Sequence, residues 1–197
     1  MDGFVIDVVR DQLLIEIQTS GFSSMKRKLA TLLAAKHRLR IVHPIPAQKQ
    51  IVRVDDAGEI LGKRRSPKRG TVLDIFSELV SFPELVAHPN FEIQVLLTHE
   101  EEYRRHDPAK AWRRKGWVVH ERRLVSVEDV FEIRGTADLE ALLPGSLPDP
   151  FTTSDLAAAM SCPLRLAQQA AYCLRRAEVV DAVGKRGNSI QYRRRLG

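Results

Sequence analysis

At 197 residues with 44% hydrophobic side chains, the chain is long enough for one substantial domain plus a small one, and too apolar for wholesale disorder. No run approaches the roughly 18 apolar residues of a membrane helix, and the first residues lack a secretory pattern, so the expected setting is cytoplasmic, without a membrane partner. The net charge of +6 is uneven: residues 151–197 carry +5 of it, which points to a polyanion partner for that part of the chain.

Residues 4–19 read as two strands joined by a polar turn. Phe4, Val5, Ile6, Val8, Val9 and Leu13, Leu14, Ile15 have the composition of buried strands, and Arg10, Asp11, Gln12 that of a turn. Asp7, Glu16 and Gln18 sit inside these apolar runs, where an unpaired carboxylate is costly. With Asp11 and Gln12 at the tip, Asp7 lies directly opposite Glu16, and Gln18 shares the face of Glu16. Two facing carboxylates repel unless a cation lies between them, and hard divalent ions take oxygen ligands, so the spacing predicts a metal site. A three-residue loop would carry Asp7 to the other face.

Ser23 or its neighbour caps a helix with apolar Met25, Leu29, Leu32 and Leu33, flanked by Lys26, Arg27 and Lys28. Those cations form either a solvated face or a phosphate contact beside the metal site. Residues 38–45 read as the next strand, ended by Pro44 and Pro46, with His43 a satisfied strand residue rather than a base.

Asp7, then Glu16, Ile17 and Gln18, then a basic amphipathic helix, then a strand resembles the PD-(D/E)XK, or restriction-endonuclease-like, nuclease superfamily. The resemblance implies an α/β fold with a mixed sheet flanked by helices. It also implies that Asp7 and Glu16, with the Ile17 carbonyl, hold Mg²⁺ or Mn²⁺ for phosphodiester hydrolysis in nucleic acid, DNA foremost. Gln18 stands where the family usually has Lys. It would orient the attacking water, while Lys26, or Lys28, supplies a migrated lysine as charge stabiliser. The helix that usually precedes the first strand has no counterpart after Met1. The alternative is a catalytically inactive nuclease-fold protein that binds DNA or regulates.

Further along, residues 50–54 and 59–62 read as a hairpin, followed by a basic loop with Lys63, Arg64, Arg65, Lys68 and Arg69, a phosphate clamp or a solvated loop. Residues 72–82 read as a helix stopped by Pro83, and 91–97 as a strand. Glu100, Glu101 and Glu102 read as a helix start. Residues 112–127 read as a basic turn and a hairpin with His120 and Glu121 near its tip. There Trp112 and Trp117, among Arg113, Arg114 and Lys115, are core aromatics or base-stacking platforms. Residues 136–143 read as a short helix. The Pro- and Gly-rich stretch 144–150 reads as a linker closing a nuclease-like domain at 1–143.

Residues 151–197 resemble a winged helix-turn-helix domain: a capped helix, a turn at Ser161, Cys162 and Pro163, a second helix, and a hairpin with a Gly-bounded tip. The resemblance implies that Arg165, Gln168 and Gln169 face a DNA groove, Arg175 the backbone, and Lys185 and Arg186 phosphate from the wing. Some winged helices grip proteins instead. Cys162 and Cys173 read as reduced core residues, since no C-x-x-C exists. A homodimer stands among the partners the sequence allows.

Overall fold

The structure is a computed structural model that describes residues 3–107, 109–110 and 116–195. It is mixed α/β: among the described residues a six-stranded sheet runs in the order β1-β2-β3-β5-β6 with β4 on β3, and β7 and β8 form a separate pair. Packing divides the chain into two compact units, 1–43 with 73–95 and 131–197, and 44–72 with 96–130.

In the first unit, β1 (Val8–Arg10) and β2 (Leu13–Ile17) form an antiparallel hairpin. Its tip residues Asp11 and Gln12 have φ of 46° and 68°, the paired left-handed conformations of a two-residue type I′ turn. β1 is not the buried strand its composition suggests. It is the sheet edge, and Val5, Val8 and Val9 are exposed. Leu14 and Glu16, two residues apart on β2, point inward. α1 (Lys26–Ala34) buries Leu29, Leu32 and Leu33 and carries the chain to β3 (Arg38–Val54), which lies parallel to β2 with Ile41 opposite Glu16. A parallel pair needs such a crossover.

β3 does not stop at Pro44 and Pro46. Both share the parity of Val42, whose carbonyl accepts from Gln18 N, so their missing N–H groups face the β2 side where that strand ends and cost the sheet little. Phe22 stacks on Phe82 at 5.5 Å, and Phe91 meets Phe82 edge-on at 5.9 Å. The expected helix at 72–82 is shorter, a 3₁₀ turn leading into α2 (Ile75–Leu79).

After α3 (Thr136–Ala141) come α4 (Thr153–Ala159), α5 (Leu164–Arg176), β7 (Val180–Arg186) and β8 (Ser189–Arg194). Phe151 exchanges two backbone hydrogen bonds with Tyr192 of β8. α5 turns Ala167, Ala170, Ala171, Cys173 and Leu174 inward, and Cys173 Sγ lies 3.8 Å from the Phe76 carbonyl of α2. Residues 151–195 therefore pack into the same unit as the first hairpin, and the 144–150 stretch does not divide the packing. Both cysteines are free, Cys173 buried and Cys162 half-buried in the turn.

In the second unit, β4 (Ile60–Arg65) pairs with the end of β3, so Lys63, Arg64 and Arg65 are strand residues rather than loop. β5 (Phe91–His106) runs straight through Glu100, Glu101 and Glu102, where a helix was expected. Partners along β5 and on neighbouring strands make the acidic run tolerable. Glu101 accepts from Tyr103 at 2.8 Å and Lys63 at 3.2 Å, while buried Glu102 meets Arg104, Lys49 and Arg122 at 2.5, 3.6 and 3.3 Å. β6 (Trp117–Ile133) is one continuous strand through His120 and Glu121, not a hairpin, since no Gly, Pro or Asn offers a turn there. Trp117 is half-buried with the Arg53 guanidinium 4.6 Å from its ring centroid. Trp112, Arg113, Arg114 and Lys115 lie outside the described residues.

Candidate reaction centre at the first hairpin

The paired register ends with Val8 opposite Ile15, and Asp7 sits in a bend one residue before β1, beside the strand segment that carries Glu16. Asp7 is exposed on the rim, and its Oδ2 accepts the Ile17 N–H at 2.8 Å. Glu16 is 7% exposed, and Lys28 of α1 sets its Nζ 2.6 Å from Glu16 Oε1. The same ammonium donates to the Val5 carbonyl at 2.5 Å, so one cation closes the hairpin from above. A buried carboxylate requires such a partner. The cation is Lys28; Lys26, the residue expected to stabilise charge, is exposed on α1 and makes no such contact.

Gln18 is half-buried and donates its amide Nε2 to the Ser20 carbonyl at 2.5 Å. Its own carbonyl lies 2.6 Å from His43 Nδ1; a carbonyl only accepts, so Nδ1 carries the hydrogen. The following residue, Pro44, has no N–H with which to continue the ladder, and the His43 ring fills that position. Buried edge-on to Phe22 at 5.1 Å, His43 is a hydrogen-bonded strand residue of β3. The loop after Gln18 is fastened from α2, where Glu78 Oε2 accepts the N–H groups of Gly21 and Phe22 at 2.8 and 3.0 Å. Gly21 has φ 75°, a conformation that favours glycine. Sequence reasoning missed Glu78: a single acid on a short helix, 57 residues from Gly21, carries no local signal.

Among the described residues no three His, Cys, Asp or Glu side chains converge as a metal cluster. What the hairpin offers is two carboxylates and the Ile17 backbone, all hard oxygen donors.

In the same unit, α5 presents Arg165, Gln168, Tyr172 and Arg175 to solvent, with Gln169 half-buried beside them. Tyr172, 44% exposed, was not singled out by the sequence. Arg186 of β7, expected to contact phosphate, is not free. Its Nη2 lies 2.7 and 3.0 Å from the Asp155 oxygens and 3.3 Å from Thr152 Oγ1, at the cap of α4. The Thr152 backbone N–H and hydroxyl, with Arg186, hold the Asp155 carboxyl below its usual range. Arg176, Arg193, Arg194 and Arg195 also have acidic partners within 4.0 Å. Among the described residues, Arg165, Arg175 and Lys185 are the exposed cations of 151–195 without one. In the second unit, Arg64, Arg65, Lys68 and Arg69 are exposed, and Lys63 is held by Glu101.

Residues 1–134 match a family described as Domain of unknown function (DUF8091). An uncharacterized protein of Treponema pallidum (strain Nichols) is 29% identical over 196 residues, a stretch that covers 98% of this chain and 76% of the relative. No solved structure matches. The match takes in the first hairpin, α1 and all of β3 to β6, and with well over half of its length inside it, the chain belongs to the DUF8091 family.

Proposed function

We propose that the chain is a metal-dependent phosphodiesterase acting on nucleic acid, DNA foremost, with Asp7, Glu16 and Lys28 as its reaction centre. One observation carries the reading: a buried Glu16 held by Lys28 at 2.6 Å, with Asp7 on the rim of the same hairpin. The antiparallel hairpin, the α1 crossover and the parallel β3 follow the order of the restriction-endonuclease-like core, which supports that finer fold assignment. Asp7, Glu16 and the Ile17 carbonyl are a fitting donor set for Mg²⁺ or Mn²⁺. When bound, such an ion supplies a polarised phosphate and a water of lowered pKa. Lys28, already fixed by Glu16 and Val5, stabilises the charge that develops on the phosphate. Gln18, anchored through its amide nitrogen, offers its oxygen to orient the attacking water. α4, α5 and the β7–β8 pair act as a winged helix whose Arg165, Gln168, Tyr172 and Arg175 face the substrate, with Lys185 on phosphate.

Mn²⁺ titration calorimetry and a plasmid and single-strand cleavage assay on wild type and Glu16→Ala test this. The expected result is that the variant loses the heat of metal binding and cleavage while retaining DNA binding. Cleavage that persists in Glu16→Ala overturns the assignment.

A second reading is a non-catalytic nucleic-acid-binding protein. It is favoured by the commitment of Asp7 Oδ2 to the Ile17 N–H and of Glu16 to Lys28. It expects DNA binding that falls with salt, weakens in Arg165→Ala/Arg175→Ala, and does not respond to divalent metal.

A further inference from the structure

β6 ends the sheet, so among the described residues one of its edges has no strand partner. Within the second unit its middle is bare on both faces: Leu124 is 62% exposed, Val125 53%, Val127 43% and Val130 47%. Leu124 and Val130 point to one face, Val125 and Val127 to the other. A long, apolar, open edge is a template for pairing, and soluble chains blunt or cover it. One added strand would extend both faces at once.

The charges flanking the apolar stretch select the occupant. Arg122 and Arg123 precede it and Glu128 and Asp129 follow it, so the segment is complementary to itself run backwards. Directly opposite residues of an antiparallel pair share a face, so two copies related by a two-fold axis must set one residue opposite its own copy. With Ser126 on the axis, Val125 faces Val127, Arg123 faces Asp129, Leu124 faces Glu128, and Arg122 lies diagonal to Glu128. With Val125 on the axis, Arg122 would face Glu128 but Glu121 would face Asp129, so a like-charge pair offsets the favourable one. Arg122 and Arg123 already touch Glu102 at 3.3 Å and Glu121 at 2.8 Å, yet they stay 60% and 55% exposed. A guanidinium has five N–H donors, enough for a second acid.

We propose that the chain forms a two-fold dimer by antiparallel pairing of β6 with β6 of a second copy, Ser126 opposite Ser126. Sedimentation velocity on the full chain tests it, with folding checked by circular dichroism. Wild type is expected to dimerise, and Asp129→Arg to raise the dimer dissociation constant about tenfold, since each dimer holds two such pairs. Arg123→Asp/Asp129→Arg is expected to return it to near wild type. In a Cys162→Ser background, Ser126→Cys is expected to form an intermolecular disulfide on oxidation. A wild type that stays monomeric at about 100 μM overturns the proposal. So does a dimer that neither Asp129→Arg nor the charge swap alters, and a dimer that Ser126→Cys fails to cross-link overturns the register.

Discussion

Lys28→Met removes the cation from a carboxylate that has little water to fall back on. The Glu16 side chain is 9% exposed and that of Lys28 17%, so the pair lies close to the buried limit, where breaking one partner costs about 3–5 kcal/mol. Residual hydration of both groups places the expected loss at the low end, about 2–3 kcal/mol. For a chain of this size that corresponds to a fall in Tm of roughly 5–10 °C. Thermal and urea unfolding of wild type, Lys28→Met and Lys26→Met measure it, with Lys26→Met expected within about 0.5 kcal/mol of wild type because that side chain is exposed. The same Lys28→Met protein should cleave nucleic acid about 10²–10³-fold more slowly, the usual loss for one transition-state charge stabiliser. Lys28→Met and Lys26→Met with equal stabilities would refute the argument that Lys28 neutralises Glu16.

Glu102→Gln should destabilise the second unit by about 2–3 kcal/mol, because Lys49, Arg104 and Arg122 would converge without an acid. Burial is the largest influence on the Glu102 carboxyl and pushes it up, but hydrogen bonds and charge from Arg104, Lys49 and Arg122 together leave it below the ordinary 4.5. Its contribution is therefore complete above that value and lost as pH falls below it, so acid titration of stability should flatten in Glu102→Gln. Asp155→Ala should cost about 1–2 kcal/mol through the lost cap of α4 and should free Arg186, read as a steeper salt dependence of DNA binding. Burial raises the Cys173 thiol to about 12, so native protein should react with alkylating agents at Cys162 and spare Cys173 until unfolding.

What was legible in the sequence was local. The Asp11–Gln12 tip, the hairpin register, the helical spacing of Leu29, Leu32 and Leu33, and the capped α4 are set by residues a few positions apart. What was not legible depended on partners distant in the chain. Glu100, Glu101 and Glu102 look like a helix start until Lys49, Lys63 and Arg122 are brought beside them on neighbouring strands. The two prolines looked like stops because the sequence does not say which edge of β3 each missing N–H faces. The choice of Lys28 over Lys26 is a matter of which side of α1 overhangs Glu16, two residues apart in sequence and decided by packing. Counting charge overstated the free positive surface of 151–197, because five of its cations meet acids.

The Glu16–Lys28 pair also separates a site from a brace. Desolvating two charges is expensive, and a well-packed apolar pair of similar volume is often as stable or more so by about 1–4 kcal/mol. Glu16→Leu/Lys28→Met is therefore expected to unfold at or above the wild-type midpoint, although Lys28→Met alone falls well below it. Leu14 is already buried two residues earlier on the same face of β2, and Leu29 is buried beside Lys28 on α1, so the surroundings can accept apolar side chains. A double variant that is stable, binds DNA and neither binds Mn²⁺ nor cleaves would show that the charges serve chemistry rather than folding. A double variant as unstable as Lys28→Met would make the pair a structural brace, and the reading as a reaction centre would then fall back on Asp7 alone, which is too little to hold an ion.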